Sequence, residues 1–429
     1  MPRKILYSTQ TVSGDLKAAS FEMNQFVVWK NAGESVRWEF DAPCEEDYEI
    51  SVCYKSASSG SRFEVQCNDV THARNVANTG WWYTREKVGV VRMHPGRNEI
   101  TVTVTQAMGP DIFRVRAIEL VATAELATEE AETARAIATH ADTAWFRDAG
   151  YGLMFHWTSE SAPRSGPRLP YAQAVEAFDV ERFARIARDA GAGYVLFTTS
   201  HSEPHFPAPL VEWERVHPGQ TAQRDLVADM AAALAAHSIP LMLYVSSHIV
   251  ARRGMVTDQE FMEIHNRLLN EIGLRYGNRV AGYWFDGIGG SLESHPTLDF
   301  ESMFYAAKAG NPKRILAWNF WQFPVCTDWQ EYWAGEVTAL DWDATKGTLA
   351  SRPGVQNHLL LSVDAGWAHT RLDTPIRMNL AGDDLLRYVK ECVAQHTPVT
   401  LNVGIYQDVG LGTQTEAFLQ RLRQDIRGS

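Results

Sequence analysis

Gly282-Tyr283-Trp284-Phe285-Asp286-Gly287-Ile288-Gly289-Gly290 decides how the fold of this chain is read. The run from 280 to 285 is apolar and aromatic, which predicts a buried strand. Asp286 follows at once, and the glycines after it predict a sharp turn. A carboxylate at the C-terminal end of a buried parallel strand sits where barrel enzymes place their chemistry. Ionised there, it needs a cation, hydrogen-bond donors or a reacting centre to offset its burial. The plainer reading is an aspartate that caps the turn.

Outward from this stretch, residues 141–429 alternate between strand and helix patterns. Strands are expected at 152–156, 194–199, 240–246, 280–285, 315–319, 336–340, 358–363 and 399–403. Helical patterns fall at 180–189, 225–237, 258–276, 300–309, 383–394 and 415–425. Eight strands in this length predict a (β/α)8 TIM-like barrel, with a doubly wound open sheet as the alternative. Upstream, residues 1–122 alternate with period two between turn clusters at 56–61, 75–80 and 94–98. That pattern predicts an N-terminal all-β sandwich of jelly-roll type. Residues 123–140, rich in Ala, Glu and Thr without Gly or Pro, read as a helical linker. The expected domains are therefore 1–122, 123–140 and 141–429.

A formal net charge of −12 argues against nucleic acid or an anionic membrane as partner. No apolar run is long enough to span a bilayer. The opening Met1-Pro2-Arg3-Lys4 lacks the apolar core of a signal peptide. A cytoplasmic location is expected for the chain as given, or an extracellular or periplasmic one if a leader has been removed. Five cysteines imply no disulfide framework, and Cys44, Cys53 and Cys67 are expected to be small buried residues. The 14 Trp and 14 Tyr suit both core packing and the C–H faces of sugars. Trp81, Trp82 and Tyr83 are candidates for such stacking, with packing on the core as the plainer role.

Polar residues collect at the expected strand ends: His156-Trp157, the run from Thr198 to Glu203, Tyr244 to His248, Asp286, Trp318-Asn319 and Asn402. Several polar strand ends on one barrel face predict a site. His156, His201, His205 and Asp286 could ligate a metal in principle, but no paired ligand spacing supports it. No phosphate loop, dinucleotide fingerprint or serine elbow is present.

Gly152-Leu153-Met154-Phe155-His156-Trp157 resembles the Gly-Leu-Phe-Ile-His-Trp strand of the α-L-fucosidases of glycoside hydrolase family 29. The run from Tyr194 to His201 is similar to their second strand, and Trp284-Phe285-Asp286-Gly287 to their Trp-x-Asp-Gly strand. Trp318-Asn319 with Asp328, and Thr400-Leu401-Asn402-Val403-Gly404, resemble later motifs in the same order. The resemblance implies an exo-acting retaining glycoside hydrolase cleaving an α-L-fucosidic or related bond in a glycoside or oligosaccharide, with no cofactor or metal. It implies Asp286 as nucleophile and Glu336 as acid/base, with Glu331, Asp341 and Asp364 as alternative second carboxyls. His156, Trp157, His201, Tyr244, Trp284 and Asn319 would line the sugar pocket. The N-terminal sandwich resembles a carbohydrate-binding module.

Three departures leave alternatives open. Ser202 replaces the second histidine of a pair, Phe320-Trp321 replaces an Asp-Arg, and the β-domain precedes the barrel rather than following it. Ser202 predicts a lost hydrogen-bond partner and more room beside the sugar. The alternatives are a glycosidase of this fold acting on a different sugar, or a catalytically degenerate sugar-binding protein.

Overall fold

The computed structural model describes residues 3–7, 13–14, 16, 19–21, 24–79, 84–109, 112–247, 256–288, 298–319, 327–337, 340 and 354–428. The chain divides into two compact units, one built mainly of residues 1–138 and one of residues 139–429.

Among the described residues, the first unit holds two antiparallel sheets, one of six strands and one of five. The strand Gly96–Gln106 shows why they face each other. Asn98, Ile100, Val102 and Val104 are buried, while Glu99 is exposed and Thr101 and Thr103 are less deeply buried. Period-two alternation therefore gives this strand one apolar face. Ile100 stands opposite Trp38 on one side and Cys67 on the other. Each such fully buried side chain contributes about 1.5–3 kcal/mol. The turn before this strand is closed by Asn98. Its amide donates to the carbonyls of His94 and Gly96, both at 2.8 Å, and its Oδ1 accepts from the His94 N–H at 2.9 Å. Cys53 and Cys67 are buried as expected. Cys44 is exposed, because it lies in the bend between two strands rather than on an inward face. Trp81, Trp82 and Tyr83 lie outside the described residues. A helix, Leu126–Ala138, ends this unit.

The second unit is an α/β barrel. Its strands are β1 (Tyr151–Phe155), β2 (Val195–Thr198), β3 (Leu241–Ser246), β4 (Val280–Asp286), β5 (Ile315–Trp318), β6 (Leu359–Ser362) and β7 (Val399–Val403). They form one parallel sheet in the order β5-β4-β3-β2-β1-β7-β6. Almost every residue in them is buried, because helices cover one face and the barrel interior the other. That double burial explains the unbroken apolar runs in the sequence. Four of the helices between strands start on side-chain caps. Asp179, Asp225 and Asp299 each accept a backbone N–H of the first turn, and Thr257 with Glu260 forms a full capping box. The long helix Asp258–Tyr276 ends at Gly277, whose φ of 52° suits glycine.

Among the described residues, the eighth position of the barrel holds no regular strand. The expected strand at 336–340 is reduced, among the described residues, to a single parallel bridge between Glu336 and Leu360. Residues 331–337 nevertheless fill the gap between β5 and β6. Toward β6, Leu360 N donates to Gly335 O and Val337 N to Leu360 O, each at 2.8 Å. Toward β5, side chains complete the ladder: Leu316 N donates to Glu331 Oε2 at 2.9 Å and Trp318 N to Gln330 Oε1 at 3.1 Å. Polar side chains here satisfy the strand-edge donors that a neighbouring backbone would otherwise take. No helix among the described residues is long and apolar enough to cross a membrane.

Candidate active site

The inward faces of β3 and β4 set the site. Tyr244 pairs with Trp284, and Ser246 with Asp286, in parallel register. The Tyr244 and Trp284 rings stack at 5.2 Å, and the Tyr244 hydroxyl reaches up to Asp286 Oδ2 at 2.5 Å. Burial, reinforced by the Asp286 charge, pushes the Tyr244 phenol well above its ordinary range. It therefore keeps its proton and acts as a donor to the carboxylate. Immediately after Asp286, Gly287 turns the backbone with φ 73°.

Asn319 follows β5 and is held by its own N–H to Phe285 O at 2.7 Å. Its side-chain amide donates to Asp286 Oδ1 at 3.0 Å and to Glu336 Oε2 at 2.6 Å. One amide nitrogen thus bridges two carboxylates from opposite sides of the barrel seam. Glu336 is placed by Gly335, which has φ 65° and lies so close to the His358 carbonyl that a β-carbon would collide with it. The Trp284 indole N–H anchors the same segment by donating to Ala334 O at 2.9 Å.

Two expected pocket residues have other duties. Trp157 is 1% exposed; its N–H donates to Gln407 O, and its ring packs on Phe178 and Tyr171. Strand alternation continues past β1, so His156 and Trp157 point to opposite sides. Trp284 is buried, with one face against Tyr244 and its N–H on Ala334, and it supports the site from below. His156 is buried, with Nδ1 3.2 Å from Thr198 Oγ1. Its ring meets His201 edge-on at 4.5 Å and Tyr244 at 5.4 Å. Burial first, and then His201, hold its pKa well below the ordinary histidine value, so it is neutral.

The alternative acids are tied into the framework. Glu331 is 0% exposed; its carboxylate pairs with Lys308 and accepts from Ala141 N and Leu316 N. Asp364 is buried, with one oxygen on Gly404 N and the other on Thr415 Oγ1, both at 2.6 Å. Burial raises its pKa to about 6, against the pull of those two donors. Asp341 and His248 lie outside the described residues. His205 faces Glu203 at 3.3 Å and stacks on Tyr171. Among the described residues no three His, Cys, Asp or Glu are grouped to hold a metal ion.

The loop residue Glu160 also belongs to this region. It accepts a hydrogen bond from Ser202 Oγ at 2.8 Å, and Ser202 Oγ lies 3.1 Å from His201 Nδ1. No periodic pattern marks that loop, so nothing in the sequence singled Glu160 out. The doubled role of Asn319 was equally hidden, though its place directly after an apolar strand was the available signal.

A family model described as alpha-L-fucosidase matches residues 166–424, more than half of the chain. The chain belongs to the α-L-fucosidase family. Tissue alpha-L-fucosidase of Homo sapiens is 29% identical over 135 residues, covering 24% of this chain and 29% of that protein. The Mus musculus counterpart is 28% identical over 134 residues, with the same coverages. The match thus spans under a third of the length of these curated relatives. A crystal structure of a bacterial fucosidase with an inhibitor superposes with a TM-score of 0.50 at 15% identity. That superposition covers 66% of this chain and 72% of the other. At that identity the likeness speaks for the α-L-fucosidase barrel as a fold.

Proposed function

We propose that the chain is an exo-acting retaining glycoside hydrolase that cleaves α-L-fucosidic bonds by double displacement. The observation that carries this reading is the shared Asn319 amide. The nearest oxygens of Asp286 and Glu336 can be no farther apart than its 3.0 Å and 2.6 Å bonds laid end to end. Measured between nearest oxygens, that ceiling admits the separation of about 5–5.5 Å in retaining enzymes and lies below the roughly 6.5–9.5 Å of inverting ones. Family membership supplies the sugar.

In this mechanism Asp286 attacks the anomeric carbon and displaces the aglycone, giving a glycosyl ester on its carboxylate. The Glu336 carboxyl gives its proton to the departing oxygen. Glu336, now ionised, takes a proton from water, which attacks the same carbon and releases Asp286. Tyr244 and Asn319 hold Asp286 in line with one donor on each oxygen.

Glu336→Gln tests the assignment. An activated phenol needs little protonation on leaving, whereas a poor leaving group needs it fully. The variant is expected to lower kcat/KM on an alkyl α-L-fucoside by about 10²–10⁴-fold and to affect the first step of a dinitrophenyl α-L-fucoside far less. Glu331→Gln should show no such dependence on leaving group. The opposite pattern in the two variants would move the acid/base role to Glu331.

A further inference from the structure

We propose that Glu160, acting through the Ser202 hydroxyl, is a positioning residue that fixes the tautomer of His201, so that its Nε2 is a hydrogen-bond acceptor for a sugar hydroxyl. The inference rests on the fucosidase reading for its ligand, but its chemistry follows from three atoms. An ionised carboxylate only accepts, so Ser202 must donate its single proton to Glu160 Oε2, 2.8 Å away. The same oxygen then has only lone pairs to offer His201 Nδ1 at 3.1 Å. His201 Nδ1 therefore carries the ring proton, and in the neutral imidazole Nε2 is left as the acceptor.

The ring so oriented belongs to the site. It meets His156 at 4.5 Å and lies 6.3 Å from Tyr244, whose hydroxyl contacts Asp286. Ser202 thus does not simply open space, as its small size predicted. Its hydroxyl is engaged on both sides, and Glu160 reaches in from the loop after β1 to complete the chain. A serine alone could point its proton either way. The carboxylate removes that choice, and a hydroxyl donor on the substrate is the group selected.

Histidine ¹⁵N–¹H correlation spectra of the full chain, with His201 assigned through a His201→Gln variant, read the tautomer directly. The wild type should show His201 protonated on Nδ1. Ser202→Ala and Glu160→Ala should both shift it toward the Nε2-protonated form, and Ser202→Thr should retain the wild-type signature. With an aryl α-L-fucoside, each alanine variant should raise KM by about tenfold, the scale of one hydrogen bond to a charged or polar group, and lower kcat by less. The double variant should be no worse than either single one, because the two residues act as one unit. Nε2 protonation in the wild type, or a tautomer unmoved by Ser202→Ala, would overturn the proposal. So would additive losses in KM. The spectra need no substrate, so they decide the tautomer whether or not a fucoside is turned over.

Discussion

Asp286→Ala should cut turnover of an aryl α-L-fucoside by at least about 10⁴-fold, which is roughly 5.5 kcal/mol of transition-state stabilisation. The substitution removes the attacking atom itself, and neither Tyr244 nor Asn319 can replace it, since both serve Asp286 as donors. It also leaves a gap beside the anomeric carbon lined by those two donors. A small anion such as azide should enter that gap, attack in place of the carboxylate and restore part of the rate with an activated substrate. The azide product should carry inverted configuration, because only one displacement has occurred. The fold should survive, because Asp286 is only partly buried and its loss leaves two donors, a cost of about 1–3 kcal/mol each at most. Retention of activity within tenfold of wild type would remove Asp286 from the mechanism.

The largest effect on stability is expected from Glu331→Ala. Glu331 sits on the side of β5 away from β4, where no regular strand lies among the described residues, and its carboxylate holds Lys308, Ala141 N and Leu316 N together. Lys308 is itself buried, and that burial lowers its pKa despite the partner carboxylate. Without Glu331 the ammonium would be stranded, and breaking one side of a buried pair costs about 3–5 kcal/mol. The expected result is a clear drop in the urea midpoint of the barrel's unfolding transition. The double variant Glu331→Leu, Lys308→Met should recover much of it, since replacing both charges removes the stranded one. An unchanged midpoint combined with lost activity would instead mark Glu331 as a catalytic group.

The barrel was legible because its strands are buried on both faces. β3, β4 and β7 read as apolar runs, and their observed bounds differ by at most a residue from those expected. The same double burial hid other things. With both faces apolar, nothing in the sequence tells that His156 points inward and Trp157 outward, so both were expected in the pocket. The strand expected at 336–340 is, among the described residues, only a bridge at Glu336, and just before it the side chains of Gln330 and Glu331, which carry no periodic signal, serve the edge of β5. Asp286 stood out because a lone carboxylate ended an apolar run before glycine. Glu160 could not stand out, because its partner Ser202 lies 42 residues away and the two meet only in the folded chain.

In the proposed reaction, the two carboxyl groups sharing Asn319 carry out double displacement on an α-L-fucoside. Proton NMR of the hydrolysis of an aryl α-L-fucoside, recorded faster than mutarotation, tests it most directly. Double displacement releases α-L-fucose first, and the β-anomer grows in later by mutarotation. First appearance of the β-anomer would contradict it, because a single displacement would then have taken place.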